Sequence, residues 1–592
     1  MRKISLIIIL FLLIFQYGRS QGCDRVIPND IYDINLLASS YIPDSITPIV
    51  TIKVNVNVWR ENDGTGSYWL DTPAFRDSLR MLFNYLNYQF AVNQIYSDPV
   101  NNAEFILDTK VRFELDTVYY YNDSNLAHSF DSAPLLYMIA NYPERLNNFN
   151  YHLSLNEGTG TSAAGLATGY NEINQFIISI RQYNQQNLWS FAIHMKHEFG
   201  HNFGLEHTYN SEVTLINSPE FLWDIFGTQT QSWCNQPSTN VCYHDEGWEC
   251  DPYDSTNTCT NAVMGGTKDE GHFSALQCGR LHRALRVSTL RKYAYGYSSI
   301  PLIISNNQMW DYNGKFYQDI IVDSGATLTI SCTIEMVQNA KITIKPGGKL
   351  VLDGGVLTNA YVDSTWQGIQ ILGHSSAGQL TSGAQGAVEL KNGAVISNAV
   401  CGIKVWDGTD ANSNGGIVRA VNASFLNNAT AVEFGEYHNM NNGYELGNRS
   451  YFTNCNFTIN NDYLTSNERF QAHVRLNSIK NVRFTGCTFS NERNTLPSVI
   501  AERTVSNVGI LAFNSGFSVK PFCNVSGIYP CPPEQQNRSA FNGFSYGIYA
   551  AGSEGNYTIN IDQTDFDNNV IGINLSATTN ASVLRSQFNI GY

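Results

Sequence analysis

The chain has 592 residues, of which 43% are hydrophobic and 15% are charged. This length and composition allow roughly two to four folded domains and exclude a disordered or low-complexity chain. Acidic residues number 51 and basic residues 36, so the formal net charge is −15. So acidic a surface repels phosphate backbones and anionic lipid, and we therefore expect no nucleic-acid partner and no binding to membrane surfaces.

The N-terminus has the residue order of a secretory signal. Two basic residues precede an apolar run over residues 4–15, and Gly18 and Ser20 offer the small residues of a cleavage site. The run is too short to span a bilayer. We predict a signal peptide over residues 1–20 and a secreted, extracellular protein without a membrane span, which could associate with the cell surface. A lipid-anchored start at Cys23 and a buried core helix are the alternatives.

Export makes the twelve cysteines candidates for disulfide bonds. Five of them fall within residues 234–278, and an odd number implies a partner elsewhere, such as Cys23, or one free thiol. Cys523 and Cys531 form another close pair across a loop that contains proline and glycine. The spacing alone leaves the connectivity open.

Residues 21–297 mix strand and helix patterns, which indicates an α+β domain. The predicted elements are a half-buried strand over residues 52–58, further strands over residues 111–115 and 176–180, and a helix over residues 75–90. Asp71 or Thr72 can cap this helix, and Pro73 suits its first turn.

Residues 298–592 lack helical periodicity and alternate short apolar strands with turn residues. Repeats of about 20–40 residues cannot bury a face alone and must stack on their neighbours, so we predict an all-β, right-handed parallel β-helix. We expect Cys332, Cys455 and Cys487 to be small interior residues of its strands. A Gly-Ile step recurs at residues 368, 402, 509, 547 and 572, and a Phe before an Asn-rich turn recurs at residues 425, 457, 489, 566 and 588.

One motif carries metal chemistry. Residues 197–207 place His197 and His201 four residues apart, so a helix over residues 188–203 would bring both to one face. Gly204 can end that helix and let His207 approach from another direction. Three imidazoles and one open position are typical of one catalytic Zn²⁺ ion.

The residue after the first histidine has a chemical role in this interpretation. Glu198 is placed to take a proton from the attacking water and to pass it to the leaving amine. The plainer alternative is a satisfied histidine cluster without metal. His194 lies near the same side of the helix, and we expect it to pack or hydrogen-bond rather than to bind the ion.

These residues resemble the long signature of the metzincin clan of zinc endopeptidases. Residues 261–266 are similar to the Met-turn of that clan, and Met264 would then be a hydrophobic floor beneath the three imidazoles. A capping box from Ser274 to Gln277 predicts the helix that follows. The resemblance implies a metzincin-like domain that hydrolyses peptide bonds in protein or peptide substrates with a metal-activated water.

The match to that clan has departures. Gly266 stands where several metzincin families have a tyrosine, which leaves Tyr243, Tyr253 and Tyr293 as loose candidates for that role. The Cys-rich insert resembles the pappalysin-like branch, and the β-helix resembles that of secreted multidomain proteins of the Bacteroidetes type. Residues 165–170 would either border the cleft and offer backbone groups to a substrate strand or form an ordinary strand and turn.

Other features point to weaker hypotheses. Residues 62–66 and 245–254 are oxygen-rich and could bind Ca²⁺, but turn chemistry is the favoured interpretation. The rival function is a β-helix that binds or degrades polysaccharide, or an adhesin with a cell-surface ligand, whose zinc domain is auxiliary or degenerate. The last residues resemble the middle of a coil, so we expect further sequence after Tyr592.

Overall fold

The chain forms two compact units, residues 26–296 and residues 297–592. The predicted signal peptide and Cys23 lie outside the described residues. No helix in the described part is long and apolar enough to cross a membrane. The computed structural model describes residues 36–65, 71–96, 102–127, 147–151, 165–167, 176–180, 188–205, 222–226, 261–264, 271–464, 469–493, 506–525, 531–552 and 557–589.

The first unit is built on a six-stranded sheet with the order β2–β1–β3–β5–β4, in which β6 also pairs with β1. Pairing is parallel except for β4 on β5 and β6 on β1. The three predicted strands are present. The strands are β1 (Val50–Arg60), β2 (Val111–Asn122), β3 (Asn147–Tyr151), β4 (Gly165–Ala167), β5 (Phe176–Ile180) and β6 (Ala294–Tyr295).

The prediction that residues 52–58 form a half-buried strand is wrong for most of β1. Every residue from Val54 to Trp59 is buried, including Asn55 and Asn57. Since alternating side chains point to opposite faces, packing covers both faces of this central strand, and the alternating asparagines do not mark a solvent face.

Helices pack against this sheet. In α1, Pro73 occupies the first turn, and Thr72 is the cap residue, although its side chain accepts no capping hydrogen bond; Asp71 pairs with Arg76. The predicted capping box of α5 is complete, with Ser274 and Gln277 bonding in both directions. The helices are α1 (Pro73–Ala91), α2 (Ser124–Ala127), α3 (Leu188–Asn202), α4 (Trp223–Phe226) and α5 (Ala275–Val287), with 3-10 turns at Ala38–Tyr41 and Thr289–Tyr293.

The second unit is a parallel β-helix of three ten-stranded sheets, one strand of each sheet per coil. The predicted fold class, an α+β unit followed by a parallel β-helix, is confirmed. The first sheet contains β7 (Ser298–Ile304), β10 (Gln318–Val322), β13 (Lys341–Ile344), β16 (Trp366–Ile371), β19 (Ala399–Lys404), β22 (Thr430–Phe434), β27 (Ala472–Asn477), β30 (Val508–Phe513), β35 (Tyr546–Ala551) and β38 (Ile571–Ser576).

The other two sheets and two small hairpins complete the unit. The second sheet contains β8 (Gln308–Trp310), β11 (Thr327–Ile330), β14 (Lys349–Asp353), β17 (Ala387–Lys391), β20 (Ile417–Val421), β25 (Tyr451–Thr453), β28 (Val482–Thr485), β31 (Phe517–Lys520), β36 (Ile559–Asp562) and β39 (Ala581–Leu584). The third sheet contains β9 (Gly314–Phe316), β12 (Thr333–Met336), β15 (Val356–Asn359), β18 (Val395–Ser397), β21 (Ser424–Leu426), β26 (Asn456–Ile459), β29 (Thr488–Asn491), β34 (Ser539–Asn542), β37 (Thr564–Asp567) and β40 (Gln587–Asn589). The hairpins are β23 (Asn439–Asn441) with β24 (Tyr444–Leu446) and β32 (Phe522–Cys523) with β33 (Gln536–Asn537).

Asparagines form the corners between strands because they tolerate left-handed backbone. Asn422 and Asn454, at φ 53° and 50°, turn two successive coils from the second sheet into the third. Asn427, at φ 55°, turns the chain out of the third sheet. The asparagine-rich composition of this region is therefore a consequence of its sharp turns.

Both repeated sequence marks lie at defined places in the coil. The rings of Phe425, Phe457, Phe489, Phe541, Phe566 and Phe588 form one stack, with centroids 4.5–5.2 Å apart and planes within 7°. Phe541 belongs to the stack although the repeat did not include it. A Cβ placed on Gly509 would lie 2.6 Å from Cδ1 of Phe541, so the glycine of the first mark makes room for the ring of the second.

The described cysteines include one disulfide within a loop and one free thiol in the first unit. Cys523 and Cys531, the close pair whose connectivity the sequence leaves open, are bonded, with 2.00 Å between the sulfurs. Cys278 is a free, buried thiol on α5, and the other four cysteines of its segment lie outside the described residues.

The predicted placement of three solenoid cysteines is wrong in position. Cys332, Cys455 and Cys487 lie in the corners between the second and third sheets, not inside strands, because the chain turns inward there and a small side chain fills the corner. Cys455 and Cys487 are buried and free. Cys332 is disulfide-bonded, so it is more than a small interior residue.

The first calcium candidate is a turn. Oδ1 of Asp63 accepts hydrogen bonds from the amide and hydroxyl of Thr65 at 2.9 and 2.6 Å, and Gly64 has a φ of 80°. These bonds lower the pKa of the exposed Asp63 carboxyl. The second candidate, residues 245–254, lies outside the described residues.

The phenylalanine stack predicts a large penalty for removing one ring. Phe489 is fully buried between two other rings, so Phe489→Ala should lower the free energy of unfolding of the β-helix by about 3–5 kcal/mol. The measurement is the urea midpoint of the β-sheet circular dichroism signal. Phe513→Ala removes a ring that is 42% exposed and should shift the midpoint far less; equal shifts would contradict a structural role for the stack.

Candidate metal centre

Helix α3 presents His197 and His201 side by side. Phe191, Met195 and Phe199 are buried and fix the orientation of the helix against the unit's core. The two histidines are half-buried on the same side of the helix, and their Nε2 atoms lie 3.1 Å apart.

Backbone carbonyls fix the protonation of both rings. Nδ1 of His197 donates to the carbonyl of Val263 at 2.6 Å, and Nδ1 of His201 donates to the carbonyl of Leu205 at 2.8 Å. A carbonyl only accepts, so each Nδ1 carries the proton and each neutral ring presents an Nε2 lone pair. Two lone pairs this close repel each other unless a cation or a proton lies between them.

The geometry of these two rings fits zinc. Two imidazole nitrogens at about 2.0–2.1 Å from one tetrahedral ion would be separated by roughly 3.3 Å, close to the observed 3.1 Å. Zinc-bound histidines commonly donate their other nitrogen to a carbonyl or carboxylate, as both of these do. His197 and His201 therefore form half of a suitable donor set.

The helix ends as predicted, at the start of a chain reversal. Gly204 has a φ of 86°, and the amide of Leu205 donates back to the carbonyl of Gly200 at 3.0 Å. This turn ends the helix two residues before His207. His207 itself lies outside the described residues.

Glu198 lies between the two histidines in sequence and is 7% exposed. Its carboxylate makes no hydrogen bond or ion pair with the residues that the structure describes. Burial therefore raises the pKa of Glu198 to about 7. A nearby cation would favour the charged carboxylate and lower that pKa.

Met264 packs directly against the histidine-bearing helix. It is fully buried, and a Cβ built on Gly200 would overlap its sulfur. The preceding residue, Val263, supplies the carbonyl that holds His197. The segment that resembles a Met-turn thus contacts the helix through both a side chain and a backbone group, and it touches Gly200, which lies between the two histidines.

Lys196 is a residue of the site that sequence reasoning missed. It is fully buried, and its Nζ donates to the carbonyls of Gln89 and Gly271 at 2.9 and 2.8 Å. The ammonium also lies 4.7 Å from the ring centroid of Phe273. It ties α3 to α1 and to the chain beyond Met264. Its partners are carbonyls, which leave no signal in a sequence.

Two other residues considered from the sequence, His194 and Tyr293, lie within the described part of the chain. His194 is half-buried on α3. Tyr293 is buried at the end of a 3-10 turn, and burial raises its pKa. The other two tyrosine candidates, Gly266 and the Cys-rich insert lie outside the described residues.

Strand β4 forms the edge of the sheet beside α3. Gly165–Ala167 pairs antiparallel with Phe176–Ile180, and no other described strand pairs with its outer side. Helix α3 contacts both of these strands. Residues 168–170 lie outside the described part of the chain.

Comparison with known proteins gives one similarity. Residues 86–208 match the model of metallo-peptidase family M12B, reprolysin-like. The match spans the end of α1, strands β2 to β5 of the sheet and the whole histidine motif, and it stops one residue after His207. It supports a zinc-dependent metallopeptidase in the first unit. No curated protein matches the chain.

The contact between Gly200 and Met264 predicts a coupled effect on zinc binding. Gly200→Ala should weaken zinc affinity and lower the free energy of unfolding of the first unit by about 1–3 kcal/mol, because the new methyl group displaces the methionine sulfur. Competition with a chromogenic chelator measures the affinity. In a Met264→Ala background the same substitution should cost much less, and equal costs in both backgrounds would contradict the coupling.

Proposed function

We propose that the protein is a secreted zinc endopeptidase of the metzincin type. The observation that carries the proposal is the pair of Nε2 lone pairs 3.1 Å apart, each fixed by a carbonyl on the other ring nitrogen. The match to a metallopeptidase family over residues 86–208 supports the same chemistry. Signal peptide 1–20, protease domain 21–297 and β-helix 298–592 are the corresponding parts of the chain.

In this proposal His197, His201 and His207 hold one zinc ion and Met264 supports the rings from below. Zinc, when bound, supplies a positive charge that acidifies water and polarises the scissile carbonyl. The carbonyls of Val263 and Leu205 keep the imidazoles neutral and oriented. The rings are thereby prepared before the ion arrives.

Glu198 moves the proton. As a carboxylate it accepts a proton from the attacking water, and as a carboxylic acid it donates that proton to the amine that leaves. Its low exposure and lack of described ion-pair partners support this role, since no fixed cation holds the group permanently charged. Burial raises the pKa of Glu198 to about 7 in the metal-free site, and a bound metal ion would favour the carboxylate form that accepts the proton.

The free edge of β4 is the proposed substrate platform. An extended peptide can add to an unpaired strand edge through main-chain hydrogen bonds. Gly165–Ala167 is such an edge in the described sheet, and it neighbours α3, which carries the histidines. Binding through the backbone would accept varied side chains.

The β-helix is proposed as a spacer or binding unit. An adhesin or polysaccharide-acting protein with a degenerate zinc domain is the alternative function. These proposals differ in the metal content of the purified full chain: one zinc per chain supports the protease, and none favours the adhesin.

The role of Glu198 predicts a separation of activity from metal binding. Glu198→Gln keeps the shape of the side chain but removes the base, so hydrolysis of fluorescein-labelled casein should fall by about 10²–10⁴-fold. Zinc content, measured by atomic emission, should stay at the wild-type level. Retention of activity in this variant would mean that another group carries the proton.

His194 and His201 are both half-buried on α3, and they predict opposite outcomes for zinc. His201→Gln removes a proposed ligand and should abolish stoichiometric zinc binding and activity. His194→Gln, on the same helix, is the matched control and should retain both. Loss of zinc in His194→Gln with an intact circular dichroism spectrum would show that the ligand set is assigned wrongly.

A further inference from the structure

An open groove of about 640 Å³ lies on the outer surface of the second sheet of the β-helix. Its lining is polar and unusually basic for so acidic a chain. Arginine is the most frequent charged residue there. The lining includes Glu389, Arg419, Asn448, Arg449, Tyr451 and Arg483.

Four of these residues form one straight row across successive coils. Glu389 pairs in register with Arg419, Arg419 with Tyr451, and Tyr451 with Arg483. Their strand neighbours Val418, Phe452 and Phe484 are buried, so the row faces outward. Arg419 and Arg483 are therefore separated by two strand spacings, about 10 Å.

The acidic residue in the lining of the groove is Glu389, which lies in register beside Arg419 but forms its ion pair with Lys349. The guanidinium groups of Arg419, Arg449 and Arg483 make no hydrogen bond or ion pair with described residues. Glu389 pairs with Lys349, whose ammonium lowers the pKa of that carboxyl. Three cations thus face solvent together on a chain whose net charge is −15.

The groove is held in shape before any ligand arrives. The guanidinium of Arg483 lies 5.6 Å from the ring centroid of Tyr451, which orients it. The amide of Arg449 donates to Oε1 of Gln379 at 2.8 Å, and the Gln379 amide in turn donates to the carbonyls of Gly415 and Gly416. Gln379 is buried. Arg449 therefore projects from a fixed backbone.

We propose that this groove binds a polysaccharide that carries carboxylate groups. Arginine binds a carboxylate through two parallel hydrogen bonds, and two row arginines about 10 Å apart suit a polymer with repeated charges. The buried Asn448 lines the groove, and its side-chain nitrogen has no hydrogen-bond partner among the described residues, so it can donate to a sugar hydroxyl.

Other polyanions fit the groove less well. The strands beneath it, β17, β20, β25 and β28, are each paired on both sides, so an acidic peptide finds no free edge to join. A nucleic acid, with its high charge density, would be repelled by the acidic remainder of the chain. This proposal is independent of the zinc site.

The test uses the full chain and three probes. Isothermal titration calorimetry should show binding of polygalacturonate, and binding should weaken with added salt. Fully methyl-esterified polygalacturonate has the same sugar backbone without charge and should bind at least tenfold more weakly. Poly-glutamate, an acidic peptide, should also bind at least tenfold more weakly.

Variants locate the site. Arg419→Gln and Arg483→Gln should each weaken polygalacturonate binding about tenfold or more, because each removes a charge-assisted pair. Lys520→Gln removes one exposed positive charge from the same sheet outside the groove and should leave the affinity within about twofold. Circular dichroism and the urea midpoint check that each variant is folded.

Three results would overturn the proposal. The first is no binding of polygalacturonate to the folded wild-type chain. The second is equal binding of the esterified polymer or of poly-glutamate, which would show that carboxylate and sugar are not recognised together. The third is an equal loss of affinity in Lys520→Gln and the two arginine variants, which would show a general charge effect without a site.

Discussion

The geometry of the metal centre depends on two backbone carbonyls that accept hydrogen bonds from the two histidines. The carbonyl of Val263 belongs to a turn far along the chain, and that of Leu205 belongs to the reversal just after the helix. Each orients one ring and assigns its proton, so that both Nε2 lone pairs face one point. The fold therefore holds two like acceptors in a mutually repulsive arrangement that a cation relieves. Because the methionine of the distant turn lies against Gly200, this arrangement requires a residue without a side chain there.

In the second unit, the residues that stabilise the coils are different from those that form the outer surface. Stacked rings fill the coils from β21 onward, and small corner residues and left-handed asparagines help to form the turns of the unit. Outward-facing side chains take no part in this interior packing, so the row from Glu389 to Arg483 can be charged without loss of packing. Placing a zinc-binding unit and a polymer-binding groove on one chain would raise the effective concentration of any substrate attached to the polymer.

Much of this architecture could be predicted where a residue's role is local. The start of α1 at its proline, the capping box of α5 and the glycine that ends α3 all follow from short-range backbone rules. The phenylalanine repeat predicted a stacked solenoid because each ring meets the equivalent ring one coil away.

The features that could not be predicted depend on partners distant in sequence. Lys196 is held by carbonyls, and any residue type supplies a carbonyl. The asparagines of β1 are buried because both faces of the strand are covered, which alternation cannot reveal. To predict the arginine row, one must know which residues of successive coils pair in register. Insertions of unequal length between the coils, among them the β23–β24 hairpin, hide that pairing in the sequence.

The interior positions of successive coils are nearly equivalent, and this equivalence affects how the β-helix can evolve. A coil whose phenylalanine meets equivalent rings above and below can be duplicated or deleted whole, because the flanking layers then meet each other in the same manner. Lengthening by recombination is thus nearly neutral for the interior, whereas an indel of one residue inside a strand would reverse which side chains face inward. The outer surface would change instead, because an added coil between β20 and β28 would move Arg419 and Arg483 of the groove farther apart.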